Sequence, residues 1–231
     1  MDKKKRLHAE GIFLILAGLF ITSLVTSNLI FQKFFTWNPF GLYDFQLSVG
    51  IIAYPITFLI TDIISEIYGE RRAQMVVTAG IFASFFALLI VIVSTEAPAT
   101  SWSPIGDAVF KKVFGFTYIA VGASLAAYLL AQFLDVKVFH FWKRLTKGKH
   151  LWVRNNFSTM TSQLVDTATI LVLLCSFGVI EWEMFGLLLL NGYIFKVVFA
   201  LFDTPIIYVL VHFLRQYFHV SDVNKPLLEE D

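Results

Sequence analysis

Asp62, Asp166, Lys196 and Asp203 lie inside long apolar runs. An ionised side chain at the centre of a bilayer costs from ~2.5 to ~10 kcal/mol or more, depending on the reference state, so such groups persist where they face a partner or a wet cavity. The chemistry they offer there is recognition of a polar solute or carriage of a proton.

Around them the polar residues are spaced for helices. Asp62 and Glu66 are four positions apart, which puts both carboxylates on one helix face. Tyr54, Pro55 and Thr57 precede them, and a proline inside a span frees a carbonyl that must line protein or water. Glu66 also stands just ahead of Gly69, Arg71 and Arg72, so a place at the membrane edge accounts for it as well as solute handling does. Further on, Thr159, Gln163 and Asp166 form a stripe at i, i+4 and i+7 in a segment rich in Ser and Thr. Hydroxyl groups serve helix packing, but a buried amide and a buried carboxylate each demand partners. Asn28 and Gln32 are one turn apart, and hydrogen bonding between helices suits both, with Asn28 the deeper and a candidate for solute contact.

The elements that must position these groups are transmembrane helices. A span needs about 20 mostly apolar residues, and six segments answer to that, near 11–34, 46–67, 73–95, 113–134, 157–180 and 184–213. The first follows Lys3, Lys4, Lys5 and Arg6 like a signal peptide, but its apolar run is too long for one and it is read as an uncleaved span. From the helical rise, Asp166 lies roughly 13–15 Å into the fifth span and Lys196 roughly 16–18 Å into the sixth, both near the midplane. The two can pair if those spans are neighbours. Asp62 and Asp203 fall closer to the cytoplasmic side, where two carboxylates can share a site and one can hold a proton. Thr204 and Pro205 make that stretch the expected bend of the sixth span.

Composition agrees with this solvent: 57% of the 231 residues are hydrophobic and 15% charged, with a mean hydropathy of +0.72. The expected fold is an all-α bundle of six transmembrane helices forming one domain over 1–231. A net charge of +1 gives no reason to expect a nucleic-acid partner. Fourteen of the 18 Lys and Arg fall in the N-terminal tail, the second and fourth loops and the C-terminal tail, which places both termini in the cytoplasm. The outer loop Thr95–Phe110 is broken by Pro98, Pro104 and Gly106, and it can dip back toward the membrane. Val138–Trp152 mixes aromatic and basic residues as an element lying on an anionic leaflet would. The acidic end, Glu229–Asp231, reads as a short disordered tail.

No HExxH, GxSxG or P-loop pattern occurs, and the five histidines fall in tails, loops or membrane edges, so neither an enzyme nor a cofactor or metal site is expected. Cys175, the lone cysteine, reads as packing.

Three ordered stretches carry a family likeness: YPITFLITDIISEIYGERRAQMVV at Tyr54–Val77, LTKGKHLWVRNNFSTMTSQLVDT at Leu145–Thr167, and NGYIFKVVFALFDTP at Asn191–Pro205. In these the chain resembles the queuosine precursor transporter family over nearly its whole length. The resemblance implies a six-span protein of the bacterial inner membrane that imports 7-cyano-7-deazaguanine or a related precursor for tRNA modification. A deazaguanine presents N1–H and amine donors to a carboxylate such as Asp166 or Asp62, and an O6 acceptor to Gln163, Asn28 or Lys196. Tyr54, Tyr193 or Trp37 can stack on the ring. A secondary carrier, with Asp203 or Asp62 as a proton site, is the expected mode. The competing readings are a substrate-capturing subunit of an ATP-driven uptake system, which would depend on a partner, and a structural membrane protein, whose polar groups would matter for assembly only. Besides the deazapurine and the lipid bilayer, a homo-oligomer is allowed as a partner state.

Overall fold

The computed structural model describes residues 3–145 and 151–218, with some side chains left aside between 132 and 159 and at 204. Seven α-helices run in chain order: α1 Lys3–Ile30, α2 Tyr54–Tyr68, α3 Glu70–Glu96, α4 Asp107–Phe114, α5 Thr117–Leu145, α6 Leu151–Ser176 and α7 Phe185–Phe218. Among the described residues five helical stretches are long and apolar enough to cross a membrane, and Met160–Ser176 of α6 is a shorter apolar one. The polarity is inverted relative to a protein in water. Asn191, Lys196 and Asp203 are buried, while Leu14, Phe82, Phe86 and Tyr208 are exposed. Hydrocarbon rather than water must therefore solvate the outer faces.

The all-α expectation needs one correction. Strands β1 Phe34–Trp37 and β2 Phe45–Ser48 form an antiparallel hairpin between α1 and α2, in the register Phe34↔Ser48 to Trp37↔Phe45. Its sequence is aromatic and alternating on both sides of Asn38-Pro39-Phe40-Gly41, which turns with positive φ at Phe40 and Gly41. The second span therefore does not start at 46. Phe45–Ser48 has the period of a strand, Val49–Ala53 is 3-10 helix, and α2 starts at Tyr54 with Pro55 in its first turn, where the missing N–H costs nothing. Two-stranded edges cannot be left unpaired in hydrocarbon, so the hairpin must lie in a wet or covered place.

Two other expectations also change. Helix α4 forms inside the segment read as the outer loop and its sequel, starting at Asp107, whose carboxylate accepts a hydrogen bond from the Ala99 N–H at 2.8 Å. The described parts of Val138–Trp152 are not a separate surface element: they continue α5 to Leu145 and open α6 at Leu151. Residues 146–150 and the tail Glu229–Asp231 lie outside the described residues.

The chain divides into two compact units. The first comprises Met1–Ile30, Gly50–Ala87 and Val198–Asp231. Its core is built on the α2 face Ile60, Ile63, Ile64 and Ile67, spaced i, i+3, i+4 and i+7, with Phe20, Val76 and Phe218. Tyr68 donates its hydroxyl to the buried Ala9 carbonyl at 2.9 Å, and α1 and α3 approach so closely that a Cβ on Gly80 would stand 2.8 Å from the Phe20 ring. Gly69, at φ 90°, turns α2 directly into α3.

The second unit comprises Phe31–Val49 and Leu88–Val197. Helices α5 and α6 pair along their length. Ala120, Ala123 and Ala127 are buried on α5, the small-residue spacing that lets membrane helices approach, while Leu171, Leu174 and Cys175 are buried on α6. Cys175 is thus a packing residue, as expected. Helix α6 closes in a Schellman turn, Val179 N–H to Leu174 O at 2.9 Å, with Gly178 at φ 71°.

Candidate functional site

In the second unit, α6 and α7 bring Asp166 and Lys196 together. The ammonium donates to Asp166 Oδ2 at 2.5 Å, with side-chain exposures of 5% for Lys196 and 15% for Asp166. The depth count along the two helices therefore describes a real pair. The pair is an expensive one, because desolvating two charges commonly costs as much as their attraction returns, so packing alone would be better served by apolar residues. Lysine has three donors, and an ionised carboxylate accepts several bonds, so the pair can offer both kinds of partner to a solute.

Several candidates surround it by position. Gln163 is half-buried one turn before Asp166, and its carbonyl accepts the Thr167 hydroxyl at 2.9 Å. Tyr193 is half-buried three residues before Lys196. Thr159 falls among the side chains outside the description.

A residue that sequence reasoning passed over lies nearby. Asn191, with 0% exposure, accepts a hydrogen bond from the Tyr43 hydroxyl at 3.1 Å and donates to the Gln46 carbonyl at 3.3 Å. Next to Lys196, Phe195 meets Trp37 edge to face at 5.7 Å between ring centroids. Trp37 is therefore engaged with the helix that carries Lys196. An amide inside the apolar run GLLLLNGYIF was a visible signal, of the same kind that singled out Asn28.

The first unit holds the remaining candidates. Asp203 is buried on α7, and Asp62 is exposed on α2. Asn28 is buried on α1, and Tyr54 packs its ring on Phe58 at 4.4 Å. Glu66 is held by Arg215, whose guanidinium donates to Glu66 Oε1 at 3.1 Å and to the Glu66 carbonyl at 3.0 Å. That carbonyl belongs to the last turn of α2, where four acceptors lack helical partners, so Arg215 caps the helix. Glu66 is thus engaged by Arg215, which the sequence counted only as a topological charge and which has a structural task at the end of α2.

An apolar-surfaced, largely helical chain with a buried charge pair between two spans has the build of a multi-pass membrane transporter. The family described as "Putative vitamin uptake transporter" matches residues 48–210, and the chain belongs to that family. It is 29% identical over 195 residues to a Bacillus subtilis protein named "Probable queuosine precursor transporter", covering 83% of this chain and 82% of the relative. The Escherichia coli "Queuosine precursor transporter" is 28% identical over 65% of this chain and 63% of its own length. A Haemophilus influenzae protein named "Probable queuosine precursor transporter" is 32% identical over 54% of this chain and 50% of its own. No solved structure matches the chain.

Proposed function

We propose that this protein is an inner-membrane secondary carrier that imports a queuosine precursor such as 7-cyano-7-deazaguanine. The observation that supports this most is the buried Lys196–Asp166 pair on α6 and α7, in a chain whose relatives are named for that substrate class. In this reading Asp166 accepts the ring N1–H and exocyclic amine of the heterocycle, and Lys196 or Gln163 donates to its O6. Tyr193 supplies a ring face. The charges would be exchanged from each other to the solute, so binding repays part of the desolvation already spent on folding.

Asp203 and Asp62 form the second part of the proposal. Both belong to the first unit and fall at a similar depth by the helical rise, and two carboxylates that share a site can pass a proton, which suits them to couple uptake to a proton gradient. Asn28 and Tyr54 are lesser candidates for solute contact. Glu66 is assigned to the α2 cap instead. The positive-inside distribution of Lys and Arg supports cytoplasmic termini.

The test is uptake of labelled precursors by cells that cannot synthesise them, with this chain as the only added gene, followed by uptake into vesicles holding the purified chain. Uptake in vesicles that collapses with an uncoupler supports the carrier. Uptake that needs an added ATP-hydrolysing partner replaces it with a substrate-capturing subunit, and no uptake in either setting refutes the reading.

A further inference from the structure

By the count that puts the termini in the cytoplasm, three of the 18 Lys and Arg fall on the outer side, and two of these are adjacent, Lys111 and Lys112 on α4. Short outer loops ordinarily avoid such charge, so the pair calls for a task. Both side chains are exposed. The helix dipole accounts for cations in the last turn of α4, but not for the face that accompanies them. At about 100° per residue, Asp107, Ala108, Lys111 and Lys112 share one half of the helix and Val109, Phe110, Val113 and Phe114 the other. The apolar half is itself divided. Phe110 and Phe114 are half-buried and their ring centroids stand 4.8 Å apart, whereas Val109 and Val113 are 56% and 45% exposed. Ile105, four residues before Val109, extends that exposed row, and Trp102 is 81% exposed.

Hydrogen bonds fix α4 at both ends. Its first residue, Asp107, accepts the Ala99 N–H, three residues past the end of α3, and Gln32 Nε2, just beyond α1, donates to the Val113 carbonyl in its last turn. Ser103 Oγ donates to the Ile105 carbonyl at 2.7 Å, which closes the loop after Trp102. Helices α4 and α5 are separate, for Gly115 N–H ends the first on the Lys111 carbonyl at 2.8 Å, and the Phe116 carbonyl, accepting from Ile119 and Ala120, starts the second. Helix α3 has 27 residues and α5 has 29, about 40 Å each, so both are long enough to carry their outer ends past ~30 Å of hydrocarbon into the headgroup layer. A helix of about 12 Å, tied near the end of one and leading into the start of the other, belongs at that layer.

We propose that α4, with Trp102 and Ile105, is an interfacial anchor that sets Val109 and Val113 among the acyl chains and holds Lys111 and Lys112 on the phosphodiester groups of anionic phospholipids. This goes beyond the transport reading and does not depend on it. Charge complementarity selects the occupant: Asp107 is the one acid of α4 and its carboxylate is turned to the Ala99 N–H, so the polar half presents a net positive charge. The bilayer is also the solvent of the preceding span, whose last turns expose Leu89 and Val93. Trp102 has the amphipathic ring that suits the boundary between the two.

The test reads the lipid beside α4 alone. The full chain with Cys175→Ser carries a bimane on Val109→Cys and is placed in vesicles of about seven parts phosphatidylcholine to three of phosphatidylglycerol, one lipid or the other having brominated acyl chains. Bromine quenches on contact, so the two lipids are compared per molecule. Brominated phosphatidylglycerol should quench about tenfold more effectively than brominated phosphatidylcholine, the preference expected of two cations at a headgroup. Lys111→Gln with Lys112→Gln should bring that ratio to within about twofold of unity, and Lys111→Arg with Lys112→Arg should keep it. Equal quenching by the two lipids in the chain with both lysines overturns the headgroup assignment, as does a preference that survives the double Gln change. Quenching by neither lipid overturns the anchor and gives the face to water or to a second copy of the chain. A bimane on Ala108→Cys, in the polar half, should be quenched about threefold less than one on Val109→Cys, and equal quenching at the two positions overturns the orientation. That contrast should persist in the double Gln variant. Its loss there would trace the altered ratio to a melted helix and overturn the assignment to charge.

Discussion

Two ion pairs use α7, one in each unit, and they differ in what surrounds them. Lys196–Asp166 is almost wholly withdrawn from solvent. Arg215–Glu66 leaves the carboxylate 48% exposed and ties the guanidinium to a helix-end carbonyl as well. An arginine fork that caps a helix is explained by stability alone, and an exposed pair contributes roughly 0–1 kcal/mol. A lysine buried against a carboxylate is not so explained, because apolar residues of similar volume would do as well or better. Depth of burial therefore separates the functional candidate from the structural one.

The largest effect should come from taking the buried pair apart. Asp166→Ala leaves an uncompensated ammonium, a loss of about 3–5 kcal/mol, and should abolish uptake. The double variant Asp166→Leu with Lys196→Met sharpens the comparison, since it removes both charges and should restore the amount of folded protein in the membrane while uptake stays at background. Full uptake by that double variant would reduce the pair to architecture. Asp203→Asn comes next: under the proton-coupling proposal it should cut gradient-driven uptake by about tenfold or more while exchange of labelled for unlabelled solute persists. Equal loss of both processes would move Asp203 from coupling to binding.

Smaller changes are expected in the first unit. Tyr68→Phe removes the second bond to the Ala9 carbonyl, which keeps its helical donor within α1, a cost of about 0.5–1.5 kcal/mol seen in thermal unfolding in detergent, with half-saturation for uptake unaltered. Glu66→Gln should be the mildest. It keeps an acceptor for Arg215 and leaves the capped carbonyl in place, so stability should fall by less than about 1 kcal/mol and uptake should stay within about twofold. A severe loss of uptake in that variant would erase the distinction between the two pairs.

Much of the helical frame was legible because apolar runs of span length have few other uses. The third span, expected at 73–95, is α3 at Glu70–Glu96, and the sixth, expected at 184–213, falls in α7 from Phe185 onward. The hairpin was not legible, for Phe45–Ala53 is as apolar as a helix start, and only the alternation over four residues and the proline at 55 told against it. Helix α4 was hidden for a related reason, since eight amphipathic residues between Gly106 and Gly115 resemble a loop that touches a membrane. Among the site candidates, Asp166 and Lys196 stood out by charge, whereas Asn191, a neutral amide in an equally apolar run, did not.

What the chain determined unaided was its solvent and its span-forming segments, because the cost of exposing backbone or charge to hydrocarbon depends on residue type and run length. Which polar groups meet was decided in three dimensions. Asp166 and Lys196 are thirty positions apart, Tyr43 and Asn191 nearly a hundred and fifty, and nothing local sets those pairings. They follow from how α6, α7 and the hairpin pack, and a buried donor keeps its place only where that packing delivers an acceptor.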